Sequence, residues 1–316
     1  MIVNEKLAFV FPGQGSQAVG MISELASSHL VVKSIFSKAS DALGLDLLDM
    51  VLNGPEEELN KTENTQPALL ATEYCLWRAW EQACSDKPAI MAGHSLGEFT
   101  ALVCAEVLDF SDAIKLVKDR GRYMQLAVPA GEGAMAAVLG LDDGRLAEVC
   151  EQAAAGQIVA PANFNSPGQV VIAGDRAAVE RAIELAKSAG AKKTVMLSVS
   201  VPSHCALMKD VADKFAERLE QVNFSDAQTP VIQNIDAVAR TDATEIKQAL
   251  IQQLYNPVRW VDTINNIHAQ GISHVVECGP GKVLTALIKR IERSLVVLPV
   301  YNGETLQTAL GEIPWT

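Results

Sequence analysis

Short aliphatic runs and amphipathic stretches alternate along this chain. Leu7 to Phe11, Pro88 to Ala92, Val231 to Ile235, His274 to Cys278 and Leu295 to Val300 read as strands. Between them, Thr65 to Ala83, Leu96 to Val107, Ser111 to Val128, Ser203 to Val222, Glu245 to Leu254 and Lys282 to Glu292 carry apolar residues at helical spacing, several opening on a Ser or Thr suited to capping. Strands and helices in alternation predict a largely parallel sheet with helices on both faces, an α/β fold.

The middle of the chain follows another order. Ala134 to Leu141 (strand), Arg145 to Ala155 (helix), Ile158 to Phe164 (strand), Gln169 to Ala173 (strand), Ala177 to Ala189 (helix) and Thr194 to Val199 (strand) make a β-α-β-β-α-β succession. The turn residues Asn165-Ser166-Pro167-Gly168 join its central strands. A small ferredoxin-like subdomain over residues 129–200, inserted into a larger unit of residues 1–128 and 201–316, is the expectation, with the cleft between them as the default site.

Composition narrows the class. Across 316 residues, 49% hydrophobic and 20% charged, the chain can bury a large core. A net charge of −12 argues against a nucleic-acid partner. No apolar run reaches the roughly 18 residues of a membrane span, and Leu7 to Phe11 is too short for a signal-peptide core. The six cysteines form no C-x-x-C pair or metal-ligand spacing, so reduced, packed thiols in a cytoplasmic protein are expected.

Gly93-His94-Ser95-Leu96-Gly97 is a G-x-S-x-G sequence between a predicted strand and a predicted helix. That is the context of a nucleophile elbow, in which a tight turn projects the serine hydroxyl at a helix N-terminus; a glycine-rich turn with a capping serine is the plainer alternative. A serine nucleophile needs a base, and only five histidines are present. On the predicted helix Ser203 to Val222, His204 shares a stripe with Leu207, Met208 and Val211, so it faces inward, and a helix N-terminus favours its neutral form. A satisfied core histidine is the other reading.

Arg120 falls in the apolar stripe Ala113, Val117, Met124 of its helix. A buried guanidinium needs a partner, either an acidic side chain or a substrate carboxylate. Gly13-Gln14-Gly15-Ser16-Gln17 with Ala18 meets a relaxed dinucleotide fingerprint, but Pro12 enters the turn and no ribose-binding acid follows at the expected distance. A loop aiming backbone N–H groups at an oxyanion is the competing reading. Gly279-Pro280-Gly281-Lys282 lacks the spacing and the Ser/Thr of a P-loop and reads as a turn before a helix.

Together, FPGQGSQ (11–17), GHSLGE (93–98), RGRYMQ (120–125), NFNSPGQVVIAG (163–174), VPSH (201–204), QLYNPVRW (253–260) and GPGKVLTAL (279–287) resemble, in order and over nearly the whole chain, the malonyl-CoA:acyl carrier protein transacylases. The resemblance implies an α/β hydrolase-like core with a ferredoxin-like insertion, and Ser95 as the acylated nucleophile with His204 as its base. It also implies Arg120 binding the malonyl carboxylate, backbone N–H groups of Gln14 and Leu96 forming the oxyanion hole, Gln253 orienting His204, and His94 contacting substrate. Malonyl-CoA (and CoA) and acyl carrier protein are the implied partners, in fatty-acid biosynthesis. No bound cofactor or metal is expected, and the chain is expected to be a monomer. Methylmalonyl or broader acyl transfer stays open. Carrier proteins are typically acidic, so docking on a chain of charge −12 needs a local basic patch, with Lys187, Lys192, Lys193, Lys282, Lys289 and Arg290 as candidates.

Overall fold

The computed structural model describes residues 2–129, 131–197 and 201–314. Among these residues ten strands are found: β1 Val3–Phe11, β2 Lys87–Gly93, β3 Gly133–Leu139, β4 Val159–Ser166, β5 Gln169–Asp175, β6 Lys193–Met196, β7 Val231–Ile232, β8 Ala239–Arg240, β9 His274–Cys278 and β10 Val296–Val300. They form two sheets, of order β10-β9-β1-β2-β7-β8 and β4-β5-β3-β6.

In the larger sheet every pairing is parallel except β7 with β8. Alternate residues of β1 serve different cores: Leu7, Phe9 and Phe11 pack on one face, Ala8 and Val10 on the other. Burial on both faces is why the second half of this strand, Leu7 to Phe11, reads as an unbroken apolar run, while Val3, Glu5 and Lys6 before it are exposed. The smaller sheet is antiparallel throughout, and the helices Asp143–Ala154 and Arg176–Ser188 pack against it. This is the strand order and helix placement of a ferredoxin-like motif. Backbone hydrogen bonds from Phe164 N to Val258 O and from Val258 N to Ala162 O tie its β4 edge to the larger unit.

Departures from the sequence pattern are local. The helix expected over Ser203 to Val222 is a 3-10 turn, Ala206–Met208, followed by Lys209–Leu219. His204 precedes both at φ 62, a left-handed conformation that no helix accommodates, with its N–H bonded to Leu254 O. The strand expected over Val231 to Ile235 stops at Ile232. The helix expected over Leu96 to Val107 ends at Cys104, shortly before Glu106 at φ 64. The end of the strand expected over Thr194 to Val199, and the subdomain boundary at 200, lie outside the described residues. Helices Ser23–Ser28, Leu30–Leu43, Leu47–Asn53, Trp260–Ala269 and Gly303–Glu312 are additions to the expected set. No helix among the described residues is long and apolar enough to cross a membrane.

Candidate active site

The parallel register Phe11 to Gly93 brings the C-terminal ends of β1 and β2 side by side. The glycine-rich loop after β1 therefore lies against the turn after β2. That turn is an elbow: Ser95 is at φ 53 and ψ −101, and the helix Leu96–Cys104 starts at the next residue. A Cβ on Gly93 would collide with the backbone of Gly97 and Glu98, and one on Gly97 with the backbone of Phe11 and Pro12. Both glycines of G-x-S-x-G are thus required by close approach. Ser95 caps no N–H of its helix, which removes the capping alternative.

Ser95 Oγ lies 2.7 Å from His204 Nε2, and His204 Nδ1 lies 2.8 Å from the Gln253 carbonyl. A carbonyl only accepts, so Nδ1 carries the ring proton and Nε2 is left to accept from the serine hydroxyl. The main chain of Gln253, rather than its side chain, makes this bond. Its side chain donates from Nε2 to Ser95 O (3.0 Å) and accepts at Oε1 from Arg120 Nη2 (2.9 Å). Burial and the neighbouring Arg120 charge push the His204 ring down to about 3, so it is neutral at physiological pH. The helix terminus invoked from the sequence has no part in this. The His204 ring resonances in an NMR titration are expected to stay constant from pH 8 to pH 5; a midpoint near 6.5 would mean a solvated imidazole.

Arg120 is inward, as its stripe predicts, and 2% exposed. Its helix, Phe110–Ala127, crosses the helix Thr62–Ala83 so closely at Gly121 that an added Cβ would stand 2.7 Å from Thr62 O. That approach lets Arg120 Nη1 donate to Gln66 Oε1 at 2.8 Å, while Nη2 also reaches Ser95 Oγ at 3.2 Å. These partners are neutral, and among the described residues Arg120 Nε has no partner and no carboxylate forms an ion pair with this guanidinium. Burial lowers its pKa to about 10, with Glu98 pulling the other way, and the group stays cationic.

A cavity of about 190 Å³ joins these groups, lined by Gln14, His94, Ser95, Leu96, Arg120 and His204 from the larger unit and by Met135, Asn163, Asn165, Val171 and Leu197 from the smaller. The expected cleft is therefore where the serine is. Leu96, first residue of its helix, has a backbone N–H without an intrahelical acceptor, and Gln14 lies in the loop opposite. After that loop the next helix begins only at Ser23, so no helix N-terminus stands at Gly15 to hold a pyrophosphate. His94 donates from Nε2 to Asn165 Oδ1 (2.8 Å) and packs near Trp260, joining the two units at the cavity wall. The GPGK segment is a turn into the helix Val283–Ile291, whose Leu284 and Thr285 N–H groups donate to the buried Glu277 carboxyl. Among the described residues no group of three or more His, Cys, Asp or Glu could hold a metal.

The sequence reading passes over four residues. Gln66 and Asn165 contact Arg120 and His94 from elsewhere in the chain; no local pattern marks Gln66, and Asn165 is marked only as a turn residue. Asn234 and Glu98 form a network behind the elbow. Asn234 is a polar residue near the C-terminal end of the run Val231 to Ile235 and stands just beyond the observed strand, on the side of the sheet where α/β sites gather, and that position is a usable signal.

A serine in an elbow at the C-terminal edge of a parallel sheet, within hydrogen-bond reach of a buried histidine, is the arrangement found in α/β proteins of the serine-nucleophile class. Residues 8–309 match the model of the acyl transferase domain, and the chain belongs to that family. It is 54% identical over 307 residues to the malonyl CoA-acyl carrier protein transacylase of Salmonella typhimurium, covering 97% of this chain and 99% of that protein. Among solved structures, an acyl carrier protein S-malonyltransferase from Vibrio cholerae is 56% identical with a TM-score of 0.94, covering 96% of this chain and 99% of that one. A malonyl-transacylase in complex with its holo type II PKS acyl-carrier protein is 53% identical with a TM-score of 0.96, covering 98% and 100%.

Proposed function

We propose that this protein transfers the malonyl group of malonyl-CoA to the phosphopantetheine thiol of acyl carrier protein, through a malonyl ester on Ser95, in fatty-acid biosynthesis. The observation that carries this reading is the buried Arg120, cationic and without an ion pair among the described residues, 3.2 Å from the serine hydroxyl. A hydrolase for neutral esters has no use for a guanidinium without a contacting carboxylate beside its nucleophile, whereas an acyl group ending in a carboxylate supplies that ion-pair partner. The names of the relatives agree with it.

Ser95 gives its proton to His204 Nε2 and attacks the thioester carbonyl. The backbone N–H groups of Gln14 and Leu96 hold the oxyanion, and the tetrahedral intermediate expels CoA, which takes the proton back from His204. The carrier thiol then loses its proton to His204, attacks the malonyl-serine carbonyl, and the Ser95 oxygen leaves as the hydroxyl. The Gln253 carbonyl keeps His204 in the required tautomer, Arg120 holds the malonyl carboxylate, and His94 borders the acyl group. Every step uses side chains, backbone N–H groups and substrate thiols, so no cofactor or metal is required.

In this reading residues 1–128 and 201–316 form the catalytic subdomain, residues 129–200 close over the acyl group, and the protein works in the cytoplasm as a monomer. The six candidate docking cations are all exposed, Lys187 paired with Glu184 and Arg290 bonded to Gln169. The test is intact mass after brief mixing with malonyl-CoA, followed by holo acyl carrier protein. A malonyl adduct discharged onto the carrier is expected. An adduct lost to water with no carrier product would make the protein a thioesterase instead.

A further inference from the structure

Ser95-Leu96-Gly97-Glu98 has the S-x-x-E spacing of a capping box, in which the serine hydroxyl accepts the N–H three residues on and the glutamate reaches back to the serine N–H. Neither bond forms. Ser95 Oγ is engaged by His204 and Arg120 instead. The Ser95 N–H donates to Asn234 Oδ1 at 2.7 Å, and Glu98 Oε2 accepts the Asn234 backbone N–H at 2.8 Å. The reciprocal arrangement has been opened, with one residue inserted between its two ends.

Asn234 is well placed for this. Strand β7 pairs in parallel with β2, Ile232 beside Ala92, so two residues further the asparagine stands at the elbow. Its Nδ2 donates to Gly93 O at 2.6 Å, and its carbonyl accepts from Arg259 N at 3.0 Å. All four of its polar groups are used, and one amide holds the backbone on both sides of His94. Asn234 is 1% exposed and Glu98 0%, so water supplies no substitute for either.

We propose that Asn234, anchored by Glu98, is a positioning residue for Ser95. It takes over the backbone half of the capping box, so that the serine hydroxyl is free to face His204 and the carbonyl under attack. This rests on Ser95 being the acylated nucleophile. Ser95 at φ 53 is strained for a residue with a Cβ and persists only where its surroundings over-determine it. Without the Asn234 acceptor the elbow relaxes toward an ordinary N-cap, whose hydroxyl turns to the helix N–H groups and away from His204.

The test compares Asn234→Ala, Glu98→Ala and Glu98→Gln in the full chain. It measures single-turnover malonylation of Ser95 with its malonyl-CoA dependence, phosphonylation of Ser95 by a fluorophosphonate, and the thermal midpoint. A displacement near 1 Å costs about 100-fold in rate, so Asn234→Ala is expected to lose about that much in maximal malonylation, with KM nearly unchanged and phosphonylation slowed in parallel. Glu98→Ala is expected to be slower by about 10-fold, and Glu98→Gln, which keeps an oxygen for the Asn234 N–H, to regain most of that loss.

Asn234→Ala rates close to wild type, a loss confined to KM, or a Glu98→Gln variant as slow as Glu98→Ala would each overturn the proposal. If Asn234→Ala does not fold, the two Glu98 variants make the same decision. A wild-type protein that ignores malonyl-CoA but is phosphonylated at Ser95 sinks the malonyl reading alone, and the phosphonylation rates still decide this one.

Discussion

Ser95→Ala is expected to take up no malonyl group and to transfer malonyl to carrier protein at least about 10,000-fold more slowly than wild type, the scale on which serine enzymes fail without their nucleophile. Everything else in the site survives the change. Arg120 keeps Gln66 and Gln253, His204 keeps the Gln253 carbonyl, and the loop of Gln14 keeps its place beside the elbow. Malonyl-CoA should therefore still bind, and the loss should fall on the rate rather than on KM. Intact mass and a carrier-protein transfer assay measure the two sides. A malonyl adduct persisting on the variant would move the nucleophile elsewhere and with it the whole mechanism.

Arg120→Ala should discriminate between acyl groups. Wild type is expected to prefer malonyl-CoA to acetyl-CoA because acetyl leaves the buried guanidinium unpaired, a mismatch of several kcal/mol. Removing the cation should lower kcat/KM for malonyl-CoA about 1,000-fold, in the range for breaking a buried charge pair, while acetyl transfer changes far less. A pH dependence accompanies it. The cation persists until pH rises through about 10, so malonyl preference should hold at neutral pH and decline above that point as Arg120 deprotonates. Parallel measurements of kcat/KM for both thioesters decide the matter, and equal losses would remove Arg120 from substrate recognition.

Much of this was legible in the residue order. Leu7 to Phe11 of the central strand β1 serve two cores and so read as continuously apolar, and β9 is found at the predicted residues, His274–Cys278. Arg120 announced itself by interrupting an apolar stripe, and the glycines around Ser95 by a spacing that only a strand-turn-helix geometry requires. The inward placement of His204 was read for a partly mistaken reason. It faces inward from a left-handed turn, not from a helix, and its neutrality comes from burial beside Arg120.

By itself the sequence determined the two-sheet architecture, the elbow serine and the inward arginine, because local periodicity and steric necessity leave their mark on neighbouring positions. Only the tertiary structure decided the partners. Gln66 lies 54 residues from Arg120, Asn234 lies 139 from Ser95, and the Gln253 carbonyl lies 49 from the His204 ring it orients. Hydrogen bonds of that reach depend on which strand ends and helix crossings are brought together, and a main-chain carbonyl looks the same at every residue. The charge state of the site was decided there too, since burial beside Arg120 neutralises His204 and burial lowers the Arg120 pKa against the pull of Glu98.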